Sequence, residues 1–198
     1  MDLYASKGRF VAGLTPVVGW LAARGVSPDA VTVAAVPIAA LAAVALLASP
    51  SVPLALVAVP VLAALRLLCN LLDGALARRT GRSHPRGELL NEVGDRAADV
   101  LFLAPVAWLP GASRELVLVG VLGAVLASFV GVVAKAAGGT RIYRGVLSKP
   151  GRMVLVSGAA IVALWNPTAA WSWFGPLLAV CVALTLVERL VVAWRMLR

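Results

Sequence analysis

Six apolar stretches, at residues 29–48, 53–79, 87–109, 115–136, 151–165 and 171–194, follow one another with short polar turns between them. A helix that crosses the hydrocarbon of a bilayer needs about 20 mostly apolar residues. The fifth stretch is short at its apolar core and is expected to begin near Lys149. With 61% of 198 residues hydrophobic and 14% charged, the chain lies outside the range of soluble domains, which are about 45–50% apolar and a quarter charged. A soluble globular enzyme, a disordered tail and a disulfide scaffold are excluded. The expected fold is all-α: a polytopic membrane protein of six transmembrane helices.

The stretches are read as a single domain over 1–198, with an interfacial segment over 1–26 and a six-helix bundle over 27–198. Residues 3–24 alternate apolar and basic groups around Pro16, which suits a short helix lying in the interface rather than a seventh span. No long apolar core precedes residue 27, so no cleavable signal peptide is expected. Ser27, Pro28 and Asp29 read as an N-cap, a proline at the first helical position and an acid on the positive helix end.

The net charge of +9 could suggest nucleic acid, but the basic residues stand in short groups beside apolar stretches, with no basic helix carrying interleaved aromatics. Six spans place Lys7, Arg9, Arg24, Arg78, Arg79, Arg82, Arg86, Lys135, Arg141, Arg144, Lys149, Arg152, Arg189, Arg195 and Arg198 on one side, against Arg114 alone on the other. That bias makes the basic face, with both termini, cytoplasmic. The expected setting is a bacterial plasma membrane, with membrane lipids as partners and no nucleic acid.

Asp73, Glu88, Glu92, Asp95 and Asp99 fall within 27 positions at the end of the second stretch and the start of the third. Acids at membrane depth cost several kcal/mol each and are functional candidates. Arg66, Asn70, Asp73 and Ala77 share one helical face. Glu88, Glu92, Asp95 and Asp99 form a stripe on the next helix, beside Gly87, Asn91, Gly94 and Ala98. Two antiparallel helices would therefore gather Asn70, Asp73, Asn91 and Asp95. Oxygen donors at this density suit Mg²⁺ or Mn²⁺, whereas one His and two separated Cys do not suit zinc. A cation flanked by arginines suits a pyrophosphate, and a nearby carboxylate can take a proton from an attacking hydroxyl. The residues themselves point to metal-assisted phosphoryl transfer at the membrane surface.

Asn70, Asp73, Gly74, Ala77 and Arg78, then Gly87 after eight residues, and Asn91 and Asp95 at intervals of four, resemble the signature of the CDP-alcohol phosphotransferase family. The resemblance implies a hydroxyl attack on the lipid-linked phosphorus of a CDP-alcohol such as CDP-diacylglycerol, with release of CMP. It places metal ligands at Asn70, Asp73, Asn91 and Asp95 and the general base at Asp95. It places the CDP pocket at Gly74, Ala77, Arg78 and Gly87, and it implies a homodimer. Asp95, Arg96 and Asp99, with the segment from Ser27 to Thr32, look like actinobacterial phosphatidylinositol-phosphate synthases. The family has aspartate where this chain has Asn70 and Asn91. Each change removes a negative charge, and Glu92 or Asp99 would be the groups to compensate by binding a second ion.

Lys135, Arg144 and Arg152, with Arg141 and Lys149, are candidate contacts for a phosphorylated acceptor such as glycerol 3-phosphate or inositol phosphate; topogenic charge explains several of them equally. His84 reads as a solvated loop residue. Trp108, Trp165, Trp171, Trp173 and Trp194 read as an interfacial belt. Gly123, Ala127 and Gly131 permit close helix contact, either at a homodimer seam or inside one bundle. Glu188 and Arg189 read as an interfacial pair, and Cys69 and Cys181 as small buried hydrophobes. Two other functions remain open: a CDP-lipid-binding relative with altered or no catalysis, and a small membrane transporter.

Overall fold

The computed structural model describes residues 13–198, and every regular element among them is helical. The elements are α1 (Thr15–Ala23), α2 (Pro28–Ala48), a 3₁₀ turn (Pro53–Val57) running into α3 (Ala58–Thr80), α4 (Pro85–Leu103) with a second 3₁₀ turn (Ala104–Trp108), α5 (Arg114–Ala136), α6 (Lys149–Ala163) and α7 (Pro167–Met196). Much of the expected interfacial segment, including Lys7 and Arg9, lies outside the described residues.

Among the described residues four segments are long and apolar enough to cross a membrane: Pro28–Ala48, Pro53–Thr80, Arg114–Ala136 and Pro167–Met196. They match the first, second, fourth and sixth expected spans. The third and fifth form α4 and α6 but do not reach that threshold. α4 carries Glu88, Glu92, Asp95, Arg96 and Asp99. α6 has 15 residues, about 22 Å of helix against a hydrocarbon core about 30 Å thick.

The helix ends follow their local chemistry. Ser27 Oγ accepts from the Ala30 amide at 3.1 Å and caps α2, with Pro28 next in line. Gly81 ends α3 at φ +65°, a left-handed conformation that glycine adopts without a Cβ penalty. His84 then caps α4: its Nδ1 accepts from the Gly87 amide at 3.0 Å. Its Nε2 stands 3.2 Å from Asp29 Oδ2, so the side chain taken for a solvated loop residue ties the starts of α2 and α4 together.

Polarity runs inside out relative to a soluble protein. Val119, Leu122, Phe129, Val180, Leu184 and Val187 are exposed on α5 and α7, while Arg66, Asp99 and Arg152 are buried. Continuous apolar surface of this kind fits a lipid surround. The main core joins Leu46, Val59, Phe102, Leu103, Val117, Val156, Phe174 and Leu178 from all the long helices. Val18 of α1 packs with Leu72, Ala75 and Leu76, fastening α1 to α3.

Two expectations are corrected, and one of two open alternatives is found. Trp171 is 1% exposed and packs edge-on against Phe174 with centroids 6.2 Å apart, whereas Trp108, Trp165, Trp173 and Trp194 are exposed as a belt requires. The small-residue stripe of α5 packs inside the bundle: a Cβ on Gly123 would stand 2.7 Å from Val182, and one on Gly131 would stand 2.6 Å from the Ile142 carbonyl oxygen. Arg189 is buried and donates to the carbonyls of Ala127, Tyr143 and Arg144, while Glu188 pairs with Arg144 instead.

Candidate functional site

α3 and α4 follow each other across the turn at residues 81–84 and both pack against α2, so that it is long side chains that meet between them and set the site. Asn70 and Asp95 meet directly, Asn70 Nδ2 donating to Asp95 Oδ1 at 3.1 Å. Arg66, one turn before Asn70, donates through Nη2 to the same oxygen at 3.0 Å. Lys149, at the first position of α6, forms an ion pair with it as well. The Asp95 carboxylate is thus held from three sides, and its side chain is 13% exposed.

Asp73 has a different environment. Its Oδ2 accepts from the Thr32 hydroxyl of α2 at 2.9 Å, and its Oδ1 lies 2.5 Å from the Gly74 amide. Asp73, Gly74, Ala77, Gly87 and Asn91 line one cavity of about 400 Å³, closed on other sides by Pro28, Asp29, Thr32, Arg82 and His84. Five sequence-derived residues therefore share one space. Small side chains shape it: a Cβ on Gly87 would stand 3.0 Å from Asp29 Oδ1 and 3.3 Å from the His84 ring. Arg78 folds back over Gly74, its Nη1 3.4 Å from where a Cβ would be, and does not line the cavity. Asn91 Oδ1 is buried and has no hydrogen-bond partner among the described residues. A buried acceptor without a partner is unusual in a folded protein.

Asn70 turns its nitrogen, not its oxygen, toward Asp95, and neither residue lines the cavity. Among the described residues no three His, Cys, Asp or Glu side chains converge on a common metal position. The two carboxylates considered for a second ion are both taken. Glu92 lies between Arg96, at 2.5 Å, and Arg141. Asp99 Oδ2 accepts from Arg152 Nη2 at 2.6 Å, with both side chains almost fully buried.

The three acceptor candidates sit apart. Lys135 pairs with Glu88 at the exposed edge of α4, Arg144 with Glu188 of α7 at 2.9 Å, and Arg152 with Asp99 in the interior. Thr32 joins the candidate site from structure, because its contact crosses between helices, whereas Arg66 already stood on the helical face of Asn70 and Asp73 and is now seen to reach Asp95.

No family model matches the chain. It is 31% identical over 170 residues to the inner membrane protein YnbA of Escherichia coli K12, covering 86% of this chain and 81% of that one. It is 29% identical over 185 residues to an archaetidylinositol phosphate synthase of Aeropyrum pernix, covering 92% and 91%. It is 30% identical over 200 residues to a phosphatidylinositol phosphate synthase of Mycobacterium marinum, covering 96% and 83%. Its fold is similar to that of the Mycobacterium tuberculosis phosphatidylinositol phosphate synthase in complex with manganese and citrate, with a TM-score of 0.75, 26% identity, and 91% and 88% of the chains covered. The CDP-DAG-bound structure of that enzyme superposes with the same TM-score and identity over 91% and 92%. Likeness this even along both chains joins to a signature whose residues gather at the α3–α4 turn, and the chain belongs to the CDP-alcohol phosphotransferase family.

Proposed function

We propose that this protein is a phosphatidyltransferase of phospholipid synthesis that joins a CDP-alcohol such as CDP-diacylglycerol to a hydroxyl acceptor and releases CMP. The observation that carries the reading is the single cavity formed by Asp73, Gly74, Ala77, Gly87 and Asn91, with the base candidate Asp95 fixed one helical turn beyond Asn91. Glycines at 74 and 87 let a nucleotide pyrophosphate approach the backbone, and Arg78 is near enough to meet phosphate.

The donor set fits Mg²⁺ or Mn²⁺: Asp73 offers a carboxylate and Asn91 a buried carbonyl oxygen without a partner, both hard oxygen ligands on one cavity. Such an ion, when bound, supplies charge neutralisation and polarises the phosphorus. In the reaction, the acceptor hydroxyl oxygen bonds to the phosphorus that carries the lipid alcohol. The bond from that phosphorus to the bridging oxygen breaks, CMP departs with that oxygen, and Asp95 takes the hydroxyl proton. Arg66, Asn70 and Lys149 hold Asp95 in one orientation for that transfer.

A phosphorylated polyol is the proposed acceptor, with an inositol phosphate favoured by the names of the relatives. The basic segment from Lys135 to Arg152 supplies cations for it, each held at a separate place. An acceptor phosphate there would compete with Glu88 for Lys135, with Glu188 for Arg144 and with Asp99 for Arg152. The same reading places α4 and α6 in the membrane as the third and fifth of six spans, in one domain, with the site and both termini cytoplasmic. It includes a homodimer, whose interface would use a face other than the α5 stripe already packed on α7.

The test is product identity. Purified protein with CDP-diacylglycerol and Mn²⁺ is given inositol phosphate, glycerol 3-phosphate, inositol or serine, and the lipid product is read by mass spectrometry. A phosphatidyl ester of inositol phosphate is expected; an ester of unphosphorylated inositol or serine alone would overturn the acceptor assignment.

A further inference from the structure

Charge is distributed unevenly over the gathered acids. Asp95 carries two cations at once, Arg66 and Lys149, brought from separate helices, and the Arg66 side chain is fully buried. Glu88, Glu92 and Asp99, the other acids of α4, each have a basic partner as well: Lys135, Arg96 with Arg141, and Arg152. Asp73 alone among these acids has no basic partner among the described residues; its oxygens face the Thr32 hydroxyl and the Gly74 amide. Asn91, whose buried oxygen has no partner among the described residues, lines the same cavity as Asp73.

We propose that Lys149, backed by Arg66, is a built-in cation standing where a second divalent ion would otherwise sit, so that the site takes a single Mg²⁺ or Mn²⁺ at Asp73 and Asn91. The inference rests on the metal-dependent reading above and sets its stoichiometry. Asp73 and Asp95 bring two negative charges, while Asn70 and Asn91 bring none. Arg66 and Lys149 already balance Asp95. A divalent ion beside Asp95 would meet two fixed positive charges in a poorly solvated setting, where repulsion is weakly screened. Asn70 reinforces this by presenting its amide nitrogen, a donor, on the side from which an ion would need an acceptor. Glu92 and Asp99 are withdrawn by their arginines, so neither is left to hold a second ion. A tethered ammonium also has fixed geometry, and it keeps Asp95 oriented whether or not the Asp73 position is filled.

Mn²⁺ alone is the probe. The full chain, purified in an uncharged detergent, is titrated with Mn²⁺ while the free ion is followed by electron paramagnetic resonance. One tight Mn²⁺ per chain is expected, lost in Asp73→Asn. Two per chain in the unaltered protein would overturn the built-in cation and leave the metal-dependent reading standing. None would overturn the metal-dependent reading and this inference with it. Asn70→Asp combined with Lys149→Gln restores a carboxylate and removes the ammonium, and is expected to raise the count from one to two. A folded double variant that still binds one would overturn the role of Lys149, and the unaltered chain's count decides the stoichiometry without any variant.

Discussion

Arg66 Nη2 lies 3.0 Å from Asp95 Oδ1, and the Arg66 side chain is fully buried while that of Asp95 keeps 13% of its surface exposed. The guanidinium is an internal strut, and the carboxylate is the more exposed end of the pair. A charge embedded this deeply in an apolar bundle is costly unless paired, so Arg66 and Asp95 hold each other in place.

Asp95→Asn keeps the shape of the side chain and removes its capacity to accept a proton. CMP release per folded protein is expected to fall by about 10²–10⁴, the usual contribution of a general base, and the melt to drop because buried Arg66 loses its charged partner. The check is steady-state CMP release beside a thermal melt of each protein. Near-normal turnover would remove the base assignment.

Asn91→Asp adds a carboxylate at the orphaned oxygen of the cavity. Mn²⁺ affinity is expected to rise severalfold if Asn91 faces the ion, and calorimetric titration reads it. An unchanged titration would contradict the placement of Asn91.

Arg152 and Asp99 form a buried pair at 2.6 Å. Arg152→Met leaves the Asp99 charge uncompensated and is expected to destabilise the protein by about 3–5 kcal/mol. The double variant Arg152→Met, Asp99→Leu is expected to recover most of that loss. If the double variant is stable yet has a raised KM for the acceptor, Arg152 also contacts the acceptor phosphate. An unchanged KM assigns it to structure alone.

Two glycine-to-alanine changes should have opposite consequences. A Cβ on Gly120 would stand 2.7 Å from Leu178, so Gly120→Ala is expected to destabilise the α5–α7 contact by about 1–3 kcal/mol. Gly158 has nothing within 4 Å, and Gly158→Ala is expected to be neutral or to stabilise α6 by about 0.5–1 kcal/mol. Melting temperatures of the two variants, measured in one detergent, check the contrast.

Much of the site was legible because it is written along two adjacent helices. The spacing of Asn70, Asp73 and Ala77 and of Gly87, Asn91 and Asp95 is helical periodicity, and a short turn at Gly81 followed by shared packing on α2 brings the two helices within side-chain reach. Contacts from distant elements were not legible. Thr32 reaches Asp73 across 41 positions, and nothing in its own helix marks it as a partner. Lys149 was grouped with the topogenic charges because its neighbours are basic too, and only packing of α6 on α3 and α4 separates it from them. His84 had a usable signal: Pro85 immediately after it marks residue 84 as a helix cap. The membrane spans divide on the same principle. Hydropathy reveals α2, α3, α5 and α7, whereas α4 loses its apolar signature to the acids that make it functional.

The most direct measurement of the central claim is CMP release from CDP-diacylglycerol by the purified protein supplied with inositol phosphate, with Mn²⁺ and with a chelator. The account predicts release that needs both the ion and the acceptor and that disappears in Asp73→Asn. Binding of CDP-lipid with no CMP release under any metal or acceptor would contradict it, and would mean that Asn70 and Asn91 have ended the chemistry while leaving the pocket.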